Sequence, residues 1–222
     1  MQHRPLSCYP LPCRAGYTLV EMLFVLSLMI MLFVVAANGA KKSWQSQELK
    51  ASAIHLSHDL ALASQTAQKL NKPVVVRLYK YYSTSIASDQ PHLHAYQLFV
   101  HSPTPATGQS NANAAAVPKS PYKPLFEVQT LEGTSLISEN SRFTTIIDHL
   151  PPSQGLDQNV GIGNYQYVAI EFHPDGSTNL PGNKGPMTIT FIPARAADTF
   201  GELPKEFYTL VIHPENGTVT MY

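Results

Sequence analysis

The chain has 222 residues, of which 44% are hydrophobic, so it can bury the core of an ordinary domain, and disorder throughout is not expected. Fifteen basic and fifteen acidic side chains cancel, which argues against a whole-chain electrostatic surface for nucleic acid or anionic lipid. We therefore expect protein partners. The only two cysteines, Cys8 and Cys13, lie near the N-terminus.

A small residue, Gly16, precedes a long apolar segment. Residues 17–37 contain one charge, Glu21, and as an α-helix they would measure about 31 Å, close to the roughly 30 Å hydrocarbon layer of a bilayer. A secretory signal has its cleavage site after the apolar stretch, whereas Gly16 comes before it. A cut between Gly16 and Tyr17 would therefore discard residues 1–16 as a leader and keep 17–37, a candidate transmembrane helix, at the new N-terminus.

Glu21 is the exceptional residue of that segment. A carboxylate within an apolar membrane helix costs about 2.5–3.5 kcal/mol and usually marks function. After the cut, the nearest cation is the new α-amino group of Tyr17, so the amine of one subunit could pair with Glu21 of its neighbour. Alternatively, Thr18 and Glu21 have the spacing of a capping box, and a first-turn carboxylate suits the helix dipole. Both interpretations stay open.

The helix is expected to continue well beyond the apolar segment. Residues 38–72 are an amphipathic continuation, because Gly39 is the one glycine and there is no proline before Pro73. An apolar stripe at three- and four-residue steps predicts docking on the protein's own sheet rather than a coiled-coil seam. Its members are Leu49, Ala53, Leu56, Leu60, Ala63, Ala67 and Leu70. Asn71-Lys72-Pro73 should end the helix.

From residue 73 to 222 the pattern predicts a β-rich head, with a flexible loop near 102–124. Asp175-Gly176 and Asn216-Gly217 are turn signals, and the second should close a hairpin. The strands are predicted at Val74–Tyr82, His94–Val100, Leu125–Leu131, Phe143–His149, Gln166–Phe172, Met187–Ile192, Phe207–His213 and Thr218–Tyr222.

The run Gly16-Tyr17-Thr18-Leu19-Val20-Glu21, followed by an apolar helix, resembles the prepilin cleavage and methylation signature of type IV pilin-like proteins. The resemblance implies that a prepilin peptidase cuts after Gly16 and methylates the amine of Tyr17, that residues 17–37 form the transmembrane and filament-core helix, and that Glu21 guides assembly. The sequence departs from the family pattern twice. The first mature residue is usually Phe and here is Tyr17, and the usual basic residue lies one step back, at Arg14.

Two further segments refine the resemblance. Residues 169–177 and 207–219 are similar to the ends of GspH/FimT-type minor pseudopilins, and residues 71–81 are similar to part of the Verru_Chthon cassette protein D family. The implied fold is α+β and pilin-like. In such a fold, a long N-terminal helix with a membrane-spanning first half packs on a C-terminal antiparallel sheet.

The resemblance implies a minor pseudopilin, a structural subunit of a type II secretion or type IV pilus-like filament that is not an enzyme and has no cofactor. The implied location is the bacterial inner membrane, as a single-pass protein with a periplasmic head, or a periplasmic or surface filament. Its partners would be other pilins, the prepilin peptidase and the inner membrane, without nucleic acid. The alternatives are a filament-borne binding module for exported substrate or DNA, and an enzyme tethered by an uncleaved anchor.

Three candidate metal sites are weak on sequence grounds. His55-x-x-His58 and His92-x-His94 have no third ligand at a suitable spacing. The loop from Asp175 lacks the downstream glutamate of a calcium site. We therefore expect surface or packing histidines, a turn at Asp175, and no metal.

N-terminal sequencing of the protein from its own host tests the cleavage prediction. We expect the mature chain to start at methylated Tyr17. A start at Met1 would contradict the pilin assignment and support the tethered enzyme.

Overall fold

The computed structural model describes residues 17–83, 90–102, 121–150, 152–155, 165–196 and 202–222, without the side chains of 35–42 and 154–155. The chain divides into two compact units, Met1–Ser43 and Trp44–Tyr222. Helix α1, Leu19–Leu70, contributes residues to both. The other described helices and strands belong to the second unit.

The second unit is built on one sheet of ten strands in which every described pairing is antiparallel. The strand order is β10-β9-β8-β5-β2-β1-β7-β6, and β3 and β4 also pair with β2. The strands are β1 Val74–Tyr81, β2 His92–His101, β3 Tyr122–Pro124, β4 Gln129–Thr130, β5 Ser135–Ile137, β6 Ser153–Gly155, β7 Tyr165–Phe172, β8 Met187–Pro193, β9 Tyr208–Ile212 and β10 Val219–Met221. A short helix, α2, covers Ile146–His149, and 3-10 turns cover Gly182–Lys184 and Ala194–Ala196.

The apolar stripe of α1 is buried against this sheet. Its first six members, Leu49, Ala53, Leu56, Leu60, Ala63 and Ala67, are each at most 1% exposed. They share one core with residues of β1, β7, β8 and β9. The predicted docking on the protein's own sheet is therefore confirmed. Leu70 is the exception, since its side chain is 45% exposed at the end of the helix.

The predicted helix stop is confirmed, and its geometry is a Schellman motif. Asn71 has a positive φ of 50°. The Lys72 N–H donates to the Ala67 carbonyl at 3.2 Å, and the Asn71 N–H donates to the Gln68 carbonyl at 3.4 Å. These two bonds satisfy carbonyls that the helix leaves unpaired, and asparagine tolerates the left-handed conformation better than most residues. The turn leads the chain directly into β1.

Two similar turns pack against each other beside the same end of α1. In each, a backbone N–H of a glycine donates to a histidine carbonyl: Gly176 to His173 at 3.0 Å and Gly217 to His213 at 2.9 Å. The predicted turns at Asp175-Gly176 and Asn216-Gly217 are thus confirmed, and the second connects β9 to β10. The Ser177 hydroxyl and N–H both donate to Asp175, which lowers the pKa of that carboxyl.

The predicted strand at 143–149 is wrong, because this segment contains α2 instead. Its threonines bind the backbone of β8 through their side chains. Thr144 Oγ1 accepts from the Thr190 N–H at 3.2 Å, and Thr145 Oγ1 accepts from the Thr188 N–H at 2.9 Å. Because residues 143–149 are rich in β-branched side chains, their composition is typical of a strand, and the sequence predicted one. The segment 125–131 likewise holds only the two residues of β4.

The predicted loop near 102–124 ends in a strand, because β3 pairs with β2 at Tyr122–Pro124. The rest of that loop, residues 103–120, lies outside the described residues.

The predicted fold with a membrane-spanning first half, and the predicted single-pass location in the inner membrane, are wrong. Within the described ranges, no helix is both long and apolar enough to cross a membrane. Helix α1 begins at Leu19, and its first turn holds Glu21.

Replacing Gly217 with alanine tests the packing of the two turns. A Cβ at Gly217 would lie 2.9 Å from the Gly176 carbonyl oxygen, and its φ of +62° is strained for alanine. We expect Gly217→Ala to lower the free energy of unfolding by about 2–4 kcal/mol in urea titrations.

Gly182→Ala is the control, because Gly182 has no positive φ and a Cβ there would make only an ordinary contact, 3.8 Å from Cγ of Glu215. We expect this variant to change the free energy of unfolding by less than about 1 kcal/mol. Equal losses for the two variants would contradict close packing at Gly217.

Candidate functional site

The residues predicted to direct processing and assembly lie at the start of α1. Gly16 lies outside the described residues, and Tyr17 precedes the helix with its side chain 74% exposed. Thr18 caps the helix: its Oγ1 accepts from the Glu21 N–H at 3.2 Å, and its carbonyl accepts from the Met22 N–H at 3.2 Å. Half of the expected capping box is therefore present.

The carboxylate of Glu21 is not used by that cap. Among the described residues, no bond returns from it to the Thr18 N–H, and no cation pairs with it. Its side chain is exposed, and residues 17–40 contain no lysine, arginine or histidine. The helix start thus presents one negative charge in an otherwise apolar environment.

The side chains that follow Glu21 are exposed on every side of the helix. All residues from 17 to 34 are exposed, and consecutive residues at 3.6 per turn cover the whole circumference. The large apolar ones are Tyr17, Leu19, Val20, Met22, Leu23, Phe24, Val25, Leu26, Leu28, Met29, Ile30, Met31, Leu32, Phe33 and Val34. An apolar surface of this extent marks an interaction site.

Two basic residues of β1, Arg77 and Lys80, do not form a positive surface. Arg77 is 4% exposed, and its guanidinium lies between the rings of Phe99, at 4.4 Å, and Tyr167, at 4.6 Å. Lys80 forms an ion pair with Glu139. Arg77 therefore packs among aromatic side chains of the neighbouring strands, and the negative charge of Glu139 compensates the positive charge of Lys80.

The two histidines of the pair on α1 have different acidic neighbours. His55 Nε2 lies 3.4 Å from a Glu132 carboxylate oxygen, while His58 Nδ1 lies 3.7 Å from Asp59. Across the parts of the chain that the structure describes, no three His, Cys, Asp or Glu side chains are arranged to hold a metal ion.

His94 lies in the sheet, on β2, with its ring stacked on Tyr81 at 4.0 Å between centroids. Its Nδ1 lies 2.9 Å from the His92 carbonyl oxygen and must carry the hydrogen to donate to it. The buried Nε2 has no donor among the described groups. Burial, followed by the nearby His92, lowers the pKa of His94, although the bond to the His92 carbonyl opposes this shift.

A cavity of about 340 Å³ was not anticipated from sequence. It lies between the second half of α1 and the segment 126–132, with Tyr96 and Leu98 of β2 at its base. Its residues come from three stretches more than twenty-five positions apart, so no local motif signals it. The one clue is Asp59, a carboxylate directly beside the buried stripe.

Comparisons with protein-family models, with curated proteins and with solved structures find no match.

The pH dependence of unfolding tests the environment of His94. Because its pKa is lowered in the folded state, the unfolded chain binds the proton more readily below about pH 6.5. Stability is therefore full above that pH and falls as the pH drops toward the pKa of the folded state. We expect His94→Gln, which can still donate to the His92 carbonyl, to lose less stability than the wild type between pH 7 and pH 5 in urea titrations. Parallel profiles for the two proteins would contradict a buried, neutral His94.

Proposed function

We propose that this chain is a minor pseudopilin, a structural subunit of a type II secretion or type IV pilus-like filament. Its N-terminal helix packs against the equivalent helices of neighbouring subunits. The observation that carries the proposal is the fully exposed apolar circumference of residues 17–34. A helix that is apolar on all sides requires apolar neighbours on all sides, and sister helices of the same composition supply them.

The energy available from such packing is large. Burying one large apolar side chain contributes about 1.5–3 kcal/mol, so covering half of the fifteen would contribute on the order of 10–20 kcal/mol. Association costs about 4–15 kcal/mol in lost translational and rotational freedom. Apolar packing along this segment is thus sufficient to hold a subunit in a filament.

Apolar packing alone does not fix the axial offset between neighbouring helices. Glu21 can fix it, because its carboxylate needs a specific partner. Between apolar helices its carboxylate loses water and needs a cation. The segment itself has no basic side chain, so the cation is the α-amino group that a cut before Tyr17 creates on the adjacent subunit. This ion pair can form at only one axial offset between two neighbouring helices.

Replacing Glu21 with alanine in the host tests the pairing. We expect Glu21→Ala to be cut normally and to be recovered in assembled filaments about tenfold less than the wild type, because the neighbour's amine loses its partner. The measurement is the ratio of assembled to total protein by immunoblot after shearing or cross-linking.

Thr18→Ala is the matched control, because it removes the cap and leaves the carboxylate. A lost cap costs about 1 kcal/mol of helix stability, so assembly should stay near the wild-type level. If Glu21→Ala assembles normally, the pairing is refuted. If Thr18→Ala is equally defective, assembly responds to any change at the start of the helix rather than to the carboxylate, and the pairing is also refuted.

A further inference from the structure

Strand β10 forms one edge of the sheet. Among the described strands, only β9 pairs with it. Tyr222 and Thr209 exchange both backbone bonds, at 2.9 and 3.0 Å. Since bonding alternates along an antiparallel pair, Thr220 also bonds toward β9, whereas the N–H and C=O groups of Val219 and Met221 point away from it. Each chain therefore presents two donors and two acceptors along this edge.

The β10 edge lacks the residues that usually prevent a further strand from pairing. Natural sheet edges are commonly protected by proline or by charged side chains, lysine above all. Strand β10 has the sequence Val219-Thr220-Met221, which contains neither. At the opposite edge of the sheet, β6 begins directly after Pro152. The β10 edge is therefore open to backbone pairing.

The side chains of β10 leave the core incompletely covered at this edge. Val219 and Met221 pack against the main core but are only half-buried. On the other face of the sheet, Thr220 is exposed, and Tyr222 just beyond the strand is 76% exposed. A strand added beside β10 would remove more of this apolar surface from water, which is favourable.

The outward groups of β10 are complementary to those of a second β10. Residues that exchange both bonds in an antiparallel pair recur every second position, and Val219 and Met221 are two positions apart. Val219 of one copy can therefore exchange both bonds with Met221 of a second copy, and Met221 with Val219. This arrangement uses every outward donor and acceptor of the strand. It is symmetric about a twofold axis beside Thr220, as in the commonest dimers.

We propose that β10 pairs with β10 of a second copy of this chain, so that two sheets join into one continuous antiparallel sheet. The second copy matches the edge in chemistry as well as in spacing, because apolar Val219 then lies directly opposite apolar Met221 on the core side. All of these residues belong to Trp44–Tyr222. The pairing therefore goes beyond the filament role and does not depend on the N-terminal helix.

Disulfide formation at position 220 tests the pairing. The twofold axis places the two copies of Thr220 opposite each other, with Cα atoms about 4.5 Å apart, a separation that a disulfide can span. The full chain carries Thr220→Cys, with Cys8 and Cys13 replaced by serine, and is kept in solution by a mild detergent. After oxidation with copper phenanthroline, we expect a covalent dimer on a non-reducing gel.

The matched control is Glu215→Cys in the same background, because Glu215 is also exposed but lies on the turn before β10. In the proposed pairing the two copies of this turn lie far apart. We expect at least about fivefold more dimer from Thr220→Cys than from Glu215→Cys, since a disulfide needs close Cα atoms. Equal yields would overturn the proposal, and they are the result expected if the edge binds a strand of a different protein.

Adding Val219→Pro to Thr220→Cys tests the backbone bonds themselves. Proline is tolerated at the first residue of an edge strand, and here it removes only an N–H that points away from β9. We expect the dimer yield to fall about fivefold or more, because each copy loses one of its two outward donors. A thermal unfolding curve checks that the variant is folded. An unchanged yield from a folded variant would contradict pairing through the backbone.

A charge exchange at the exposed position 220 gives a second test that does not risk the fold. Chains with Thr220→Lys and chains with Thr220→Glu should each pair poorly, because like charges lie directly opposite, and should pair with each other when mixed. Carbodiimide joins an ammonium to a carboxylate in contact, so the mixture should yield a 220–220 link by mass spectrometry. A mixture without this link refutes the pairing.

Glu21→Ala separates the pairing from the filament role. The variant should form the disulfide at position 220 as efficiently as its parent, because Glu21 lies in the other unit. A lost disulfide would show that the contact depends on assembly of the N-terminal helix and would overturn the proposal.

Discussion

The second unit depends on the contact between the small residues of α1 and the sheet. Ala53, Ala63 and Ala67 are completely buried, and side chains of this size let the helix backbone approach the strands closely. The leucines of the same stripe fill the space on either side and join β1, β7, β8 and β9 in one core. Because β1 follows the helix directly after the Schellman turn, the position of the helix on the sheet also determines where β1 begins. A larger residue at one of these alanines would separate the two layers and disturb every pairing built on them.

One helix therefore meets two opposite requirements. Between Leu49 and Ala67 its apolar residues form a stripe, and the chain covers that stripe itself. Between Tyr17 and Val34 they occur on all sides, and the chain leaves them exposed. The transition is visible in the sequence as a change from a continuous apolar run to a three- and four-residue repeat. The protein's own sheet covers the second pattern and leaves the first exposed. Under the proposed function, assembly and folding would use separate parts of the same element.

Features with a local cause could be predicted from the sequence. The end of α1 at Leu70, the stripe and the turns at Gly176 and Gly217 depend on neighbouring residues, and each was found where expected. The segment 143–149 could not be assigned, because its threonines bind a strand more than forty residues away. The membrane span was predicted from one apolar run, and it is contradicted because no helix among the described residues is long and apolar enough to cross a membrane. The capping bond of Thr18 follows from local spacing. The cavity between α1 and residues 126–132 has no local signal, because helix, loop and strand meet there only after folding.

The packing of Gly217 against Ser64 and Phe172 links residues that are about 150 and 45 positions apart. Such long-range contacts form late, because a long loop must close before they stabilise anything. On a ribosome, the stripe of α1 emerges long before β7, β8 and β9, the strands that cover it. The growing chain thus exposes two apolar surfaces at once, one that its own later strands will cover and one that they will not. Protection from aggregation during synthesis is consequently a requirement that this architecture imposes on the cell.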